Sequence, residues 1–87
     1  MATSDASHKG LLKLMLRLPA LRSQLRVLCV KNGSVQALCE AYEDATVMLD
    51  QLRRARNPSD ADLLLEYQNL CSDIEAEIRE ICVSKRA

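Results

Sequence analysis

The stretch SVQALCEAYEDATVMLDQLRRARNPSD, residues 34–60, decides the fold. Val35, Leu38, Tyr42, Ala45, Leu49 and Leu52 step by alternating threes and fours, the a/d seam of a helix that packs along one side. Arg53, Arg54 and Arg56 complement the negative end of that helix, and Asn57-Pro58 stops it. Ser59 is expected to cap the next helix, with Asp62 three residues on as a shortened capping box. That helix carries the stripe Leu63, Leu64, Tyr67, Leu70, Cys71, Ile74, Ile78, Ile81, with Glu75 and Arg79 as an outward i,i+4 pair. A three-residue turn forces the two helices antiparallel.

Upstream, Lys31-Asn32-Gly33 should end a helix, with Gly33 in the left-handed cap conformation and Ser34 capping the hairpin. The apolar series Leu11, Leu14, Leu18, Leu21, Leu25, Leu28 keeps helical spacing through Pro19, while the basic face changes sides there. Two helical pieces, about 7–17 and about 19–30, meet at that proline. The expected architecture is all-α: a long antiparallel hairpin with a proline-kinked N-terminal helical arm, a small bundle of three to four helices. Residues 1–87 form one domain, with 1–7 disordered, 8–31 the arm and 34–83 the hairpin.

Composition agrees. Fifteen Leu, no Phe or Trp, two Gly and two Pro leave little turn chemistry for a sheet. At 87 residues the core is modest, so a small fold needs close helix packing, a crosslink or a partner chain. Net charge is zero, yet residues 1–31 carry six basic groups against Asp5, and residues 57–87 carry seven acids against three basic groups. The first third is therefore expected to lie against the last third, within one fold or across a dimer.

The chemistry-bearing residues are sparse. His8 is the single histidine and falls in the expected irregular start. No Ser-His-acid or Cys-His-acid set, phosphate-binding glycine loop or Glu-x-x-His pair can be assembled. Cys29, Cys39, Cys71 and Cys82 lack the close spacing of zinc knuckles and read as small buried side chains, reduced in a cytoplasmic setting. Folding the hairpin places Cys29, Cys39 and Cys82 near one pole, with Cys71 three turns away. Glu40, Glu43, Asp44, Glu75, Glu77 and Glu80 read as a solvated face, with Glu77 nearest the seam. No secretory signal or membrane-spanning apolar run is seen, and no aromatic-bearing basic surface suits nucleic acid.

The arm is the exception. Leu11, Leu12, Leu14, Met15, Leu16 and Leu18 wrap wider round a helix than one core face needs. Leu12, Met15 and Leu16 are left without an expected partner inside the chain, and are the candidate interface. The expectation is a non-enzymatic helical interaction module without cofactor or metal, self-associating or bound to a helical partner. The alternative is a membrane-surface or targeting role for the basic amphipathic arm.

The run from Leu18 to Tyr42 resembles the small YdcH-like bacterial helical-hairpin proteins. Leu18-Pro19, Leu25, Leu28, Asn32, and Val35 through Leu38, Glu40 and Tyr42 follow that family's pattern without gaps, and Cys71 to Ile78 is similar to its acidic, aliphatic last helix. Val35 replaces the family's usual aromatic, and Leu11–Leu18 is richer in apolar residues. The resemblance implies a helical hairpin and assigns no activity. Asn57-Pro58-Ser59-Asp60 with Leu64 to Gln68 resembles the turn of type III secretion needle subunits. The helix that follows is short for that family and holds two cysteines, so the likeness is one of turn chemistry.

Overall fold

A computed structural model describes residues 5–86, with side chains described through Ser84. Helix α1 spans Asp5–Arg17, a 3₁₀ turn spans Pro19–Leu21, and α2 spans Arg22–Lys31. Helix α3 spans Gly33–Ala55, a second 3₁₀ turn spans Pro58–Asp60, and α4 spans Ala61–Arg86. The protein is all-α, and the four helices pack as a bundle.

The long α3–α4 hairpin is present, and two of the three breaks between helices fall at prolines, where a ring replaces the N–H a helix interior needs; the third falls at Asn32. The seam of α3 turns inward: Val35, Tyr42, Ala45 and Leu49 are buried, Leu38 and Leu52 half-buried. The arm's seam is also used, with Leu11, Leu14, Leu18 and Leu25 buried and Leu21 and Leu28 packed against them. At Pro19 the chain doubles back. Ser7 near the start of α1 lies 4.0 Å, Oγ to Sγ, from Cys29 near the end of α2. A continuous helix would separate those residues by about 33 Å at 1.5 Å per residue.

Helix α1 runs parallel to α3. Ser7 Oγ donates to the Gln36 carbonyl at 3.5 Å, Gly10 meets Cys39, and Lys13 Nζ donates to Thr46 Oγ1 at 2.7 Å. A Cβ on Gly10 would stand 2.6 Å from the Cys39 carbonyl carbon. The missing side chain is what lets the two backbones approach.

Several local expectations are corrected. Residues 5–7, expected to be disordered, belong to α1, because buried Ser7 seats against α2 and α3; residues 1–4 lie outside the described residues. Asn32, not Ser34, caps α3, its Oδ1 accepting from the backbone N–H of Ser34 at 2.9 Å and Val35 at 3.3 Å. Gly33 is the first residue of α3 and has no positive φ. Asn57 displaces Ser59 as cap of the second turn in the same way. An amide oxygen reaches two residues ahead and satisfies the free N–H groups of a first turn. Arg56, rather than a glycine, takes the left-handed conformation that closes α3, at φ 52°.

The helices are unequal. At 1.5 Å per residue α4 is roughly 39 Å long and α3 roughly 34 Å, against roughly 20 Å for α1 and 15 Å for α2. The molecule measures 45 × 28 × 19 Å, so the hairpin sets its length and the arm covers only part of it. The core ends at Leu49 on α3 and Cys71 on α4, and no residue from 50 to 70 is buried.

Candidate functional site

Two carboxylates turn inward, and neither is the one expected. Glu77 is exposed; Glu43 is buried, and the Glu75 side chain is 14% exposed. The parallel α1 supplies the reason. Its Lys13 Nζ lies 2.8 Å from Glu43 Oε1. That oxygen receives no aligned hydrogen bond, so the ammonium meets it as a charge. One turn on, Arg17 Nε lies 3.3 Å from Glu75 Oε2, the same oxygen that accepts from Tyr42 Oη at 2.5 Å. Glu75 therefore pairs with Arg17 across helices rather than with Arg79 on its own helix. Hydrogen bonding to Glu75 raises the Arg17 guanidinium above its usual value, and burial together with Glu75 pushes the Tyr42 phenol up. This polar network pins α1 across α3 and α4. Each of the two cations is matched by a carboxylate.

The thiols are enclosed. All four cysteines are buried and unbridged. Burial pushes the Cys39 thiol up to about 12, helped by the neighbouring Cys29 thiol. Burial also raises Cys71 and Cys82. A thiol held protonated is a poor nucleophile and a poor metal ligand. Among the described residues no group of three or more His, Cys, Asp or Glu side chains could hold a metal ion.

The surface holds more. Among the candidate interface residues, Leu12 is 44% and Leu16 75% exposed on one face of α1. Met15 departs from the expectation: it is 7% exposed and belongs to the core, because α2 folds back over its side of α1. Leu12, Met15, His8, Arg26 and Val30 line an apolar cleft between α1 and α2. Val27 and Val30 extend the exposed apolar surface onto α2. Lys9, Arg22, Arg26 and Lys31 lie exposed on these two helices and make no ion pair among the described residues. The outer α1–α2 face is aliphatic with a basic rim.

The hairpin carries a second apolar stripe. Met48 and Leu52 on α3, and Leu63, Tyr67 and Leu70 on α4, recur at three- and four-residue spacing on one side of each helix. Met48, Leu63 and Leu70 are 36%, 39% and 41% exposed. At ~100° per residue this side faces away from the Cys39, Glu43 and Thr46 positions against which α1 packs. Asp44 on α3 and Glu66, Asp73 and Glu77 on α4 border it, exposed and without an ion pair among the described residues. The periodicity of α4 signalled these residues, but their exposure depends on which side of the hairpin the arm covers.

No helix among the described residues is long and apolar enough to cross a membrane. Comparison with protein-family models, with curated proteins and with solved structures yields no match for this chain.

Proposed function

We propose that this chain is a non-enzymatic helical interaction module that self-associates. The carrying observation is the exposure of Leu12 and Leu16 side by side on α1, continued by Val27 and Val30 on α2. Contiguous aliphatic surface rimmed by charge is the mark of an interface. The proposal keeps the chain in the cytoplasm, where unbridged thiols stay reduced. Burying what Leu12 and Leu16 expose contributes roughly 2–3 kcal/mol per protomer face. The wild-type chain should therefore exceed monomer mass in light scattering after size exclusion, at concentrations on the order of tens of micromolar. Leu12→Glu with Leu16→Glu should return it to a monomer of unchanged helix content. A monomeric wild type would sink the reading.

A second reading has its own observation. Lys9, Arg22, Arg26 and Lys31 make the outer α1–α2 face basic, as on helices that lie on anionic lipid. Cosedimentation with anionic vesicles that salt abolishes would favour a membrane surface over a protein partner.

A further inference from the structure

We infer that the partner of the basic α1–α2 face is the acid-rimmed stripe of the α3–α4 hairpin on a second copy, so that copies join head to tail. The inference rests on the self-association proposed above and names its two surfaces. Charge complementarity selects this occupant. The first surface offers Leu12 and Leu16 among Lys9, Arg22 and Arg26; the second offers Leu63 and Leu70 among Glu66, Asp73 and Glu77. None of these charged groups is ion-paired within the described chain, although the molecule neutralises Lys13 and Arg17 internally. Two copies meeting through the same basic face would set Arg22 and Arg26 against their own images, and like-charge juxtaposition opposes that. Basic against acidic removes the repulsion.

Geometry then dictates the assembly. The α1–α2 face looks outward from one side of the bundle, and the hairpin stripe from the side turned away from α1. One copy cannot offer both surfaces to the same neighbour in a two-fold pair. The contact is heterologous, so each dimer retains one free surface of each kind and can add another copy.

The test uses two full-length variants, each damaged on one surface. Leu12→Glu/Leu16→Glu removes the basic partner surface, and Leu63→Glu/Leu70→Glu removes the acidic one. Each alone should be monomeric, and an equimolar mixture should form a dimer that grows no further, because each variant keeps one intact face. Glu66→Lys/Glu77→Lys and Arg22→Glu/Arg26→Glu repeat the design at exposed positions that do not touch packing. Each charge variant alone should raise the apparent dissociation constant roughly tenfold or more, and mixing the two should restore association, because the intact basic face of one meets the intact acidic stripe of the other. Circular dichroism checks that all four variants remain helical. A Leu63→Glu/Leu70→Glu variant with wild-type mass overturns this inference and leaves self-association standing. So does a wild type whose mass saturates as a dimer. A monomeric wild type overturns both.

Discussion

Gly10→Ala tests the packing that the whole arrangement depends on. A Cβ there would stand 2.6 Å from the carbonyl carbon and 3.2 Å from the Cα of Cys39, and closer still to the carbonyl oxygen. These are backbone atoms of a helix and cannot swing aside. Bringing the carbon from 2.6 Å to the 3.4 Å where ordinary contact begins requires α1 and α3 to part by 0.8 Å. A gap of roughly 0.5–1 Å forfeits a quarter to a half of the dispersion energy across it. Leu11, Leu14, Met15 and Leu18 are the buried side chains carried by the arm's first helix and its end. Their burial contributes roughly 6–12 kcal/mol in all, at about 1.5–3 kcal/mol each, and a quarter of that is about 1.5–3 kcal/mol. Alanine returns about 1 kcal/mol through its better helix propensity. The net loss is about 0.5–2 kcal/mol, and overlap with the nearer oxygen moves it to the upper end. At roughly 4–8 °C per kcal/mol for a domain of this size, Tm should fall by about 8–16 °C. Thermal melting measures that fall, and urea titration followed by circular dichroism measures the loss of stability. Gly33→Ala is the control: nothing lies within 4 Å of its added Cβ, and its φ is not positive, so it should be neutral or stabilise by about 0.4–1 kcal/mol. A Gly10→Ala chain as stable as wild type would refute the close crossing of α1 and α3.

Two further outcomes follow from the buried polar and thiol groups. Tyr42→Phe removes the 2.5 Å hydrogen bond to Glu75 and should cost roughly 1.5–3 kcal/mol in the same titration, whereas an unchanged midpoint would mean the bond contributes nothing net. The raised Cys39, Cys71, Cys82 and Tyr42 groups hold their protons in the fold after the unfolded chain has released them, so their contribution is complete below the unfolded values and fades as pH climbs through the folded ones. For Cys39 the window runs from 9.0 to about 12, and the urea midpoint at pH 10.5 should lie below that at pH 7.5; equal midpoints would contradict the burial of these groups.

The parts of this fold that were legible in the sequence are the periodic ones. Apolar residues at threes and fours marked the inward faces of α1 to α3 and, through Cys71, Ile74 and Ile78, that of α4, because side chains that far apart share one side of a helix whatever the partner. Leu63 and Leu70 of the same stripe are nevertheless exposed. Pro19 and Pro58 marked the breaks, because a missing N–H acts locally. The relation of α1 to α3 was not legible. Gly10 inside a helical pattern reads as a weak spot until another backbone is known to lie against it. Glu43 and Glu75 looked like surface acids, since their cations come from Lys13 and Arg17, 30 and 58 positions away along the chain. Met15 was misplaced for the same reason: only the reversal at Pro19 brings α2 over it. The capping residues shifted by two positions because Asn32 and Asn57 outcompeted the serines that follow them.

How the arm spends its charges also bears on the choice between a protein partner and a lipid surface. A free basic amphipathic arm would turn Lys9, Lys13 and Arg17 together toward anionic headgroups. In the bundle, Lys13 and Arg17 are committed to Glu43 and Glu75, and the cations left on α1 and α2 are spread over two short helices. Their apolar company is Leu12, Leu16, Val27 and Val30, with no Trp or Phe to anchor in an interface. Lipid binding would draw on these four aliphatic side chains and a diffuse attraction that physiological salt screens beyond about 8 Å. In the proposed assembly a second copy would offer a stripe with carboxylates at its edges, where the same aliphatics would be enclosed and the charges would meet at short range. Enclosure is what separates the two, because apolar burial survives salt and rim charges do not. The self-association should therefore persist, weakened, at high ionic strength in the wild type, while Leu63→Glu/Leu70→Glu should be monomeric at low and high salt alike. Complete loss of wild-type assembly in salt would mean that charge alone holds the copies, and the aliphatic faces would lose their assigned role.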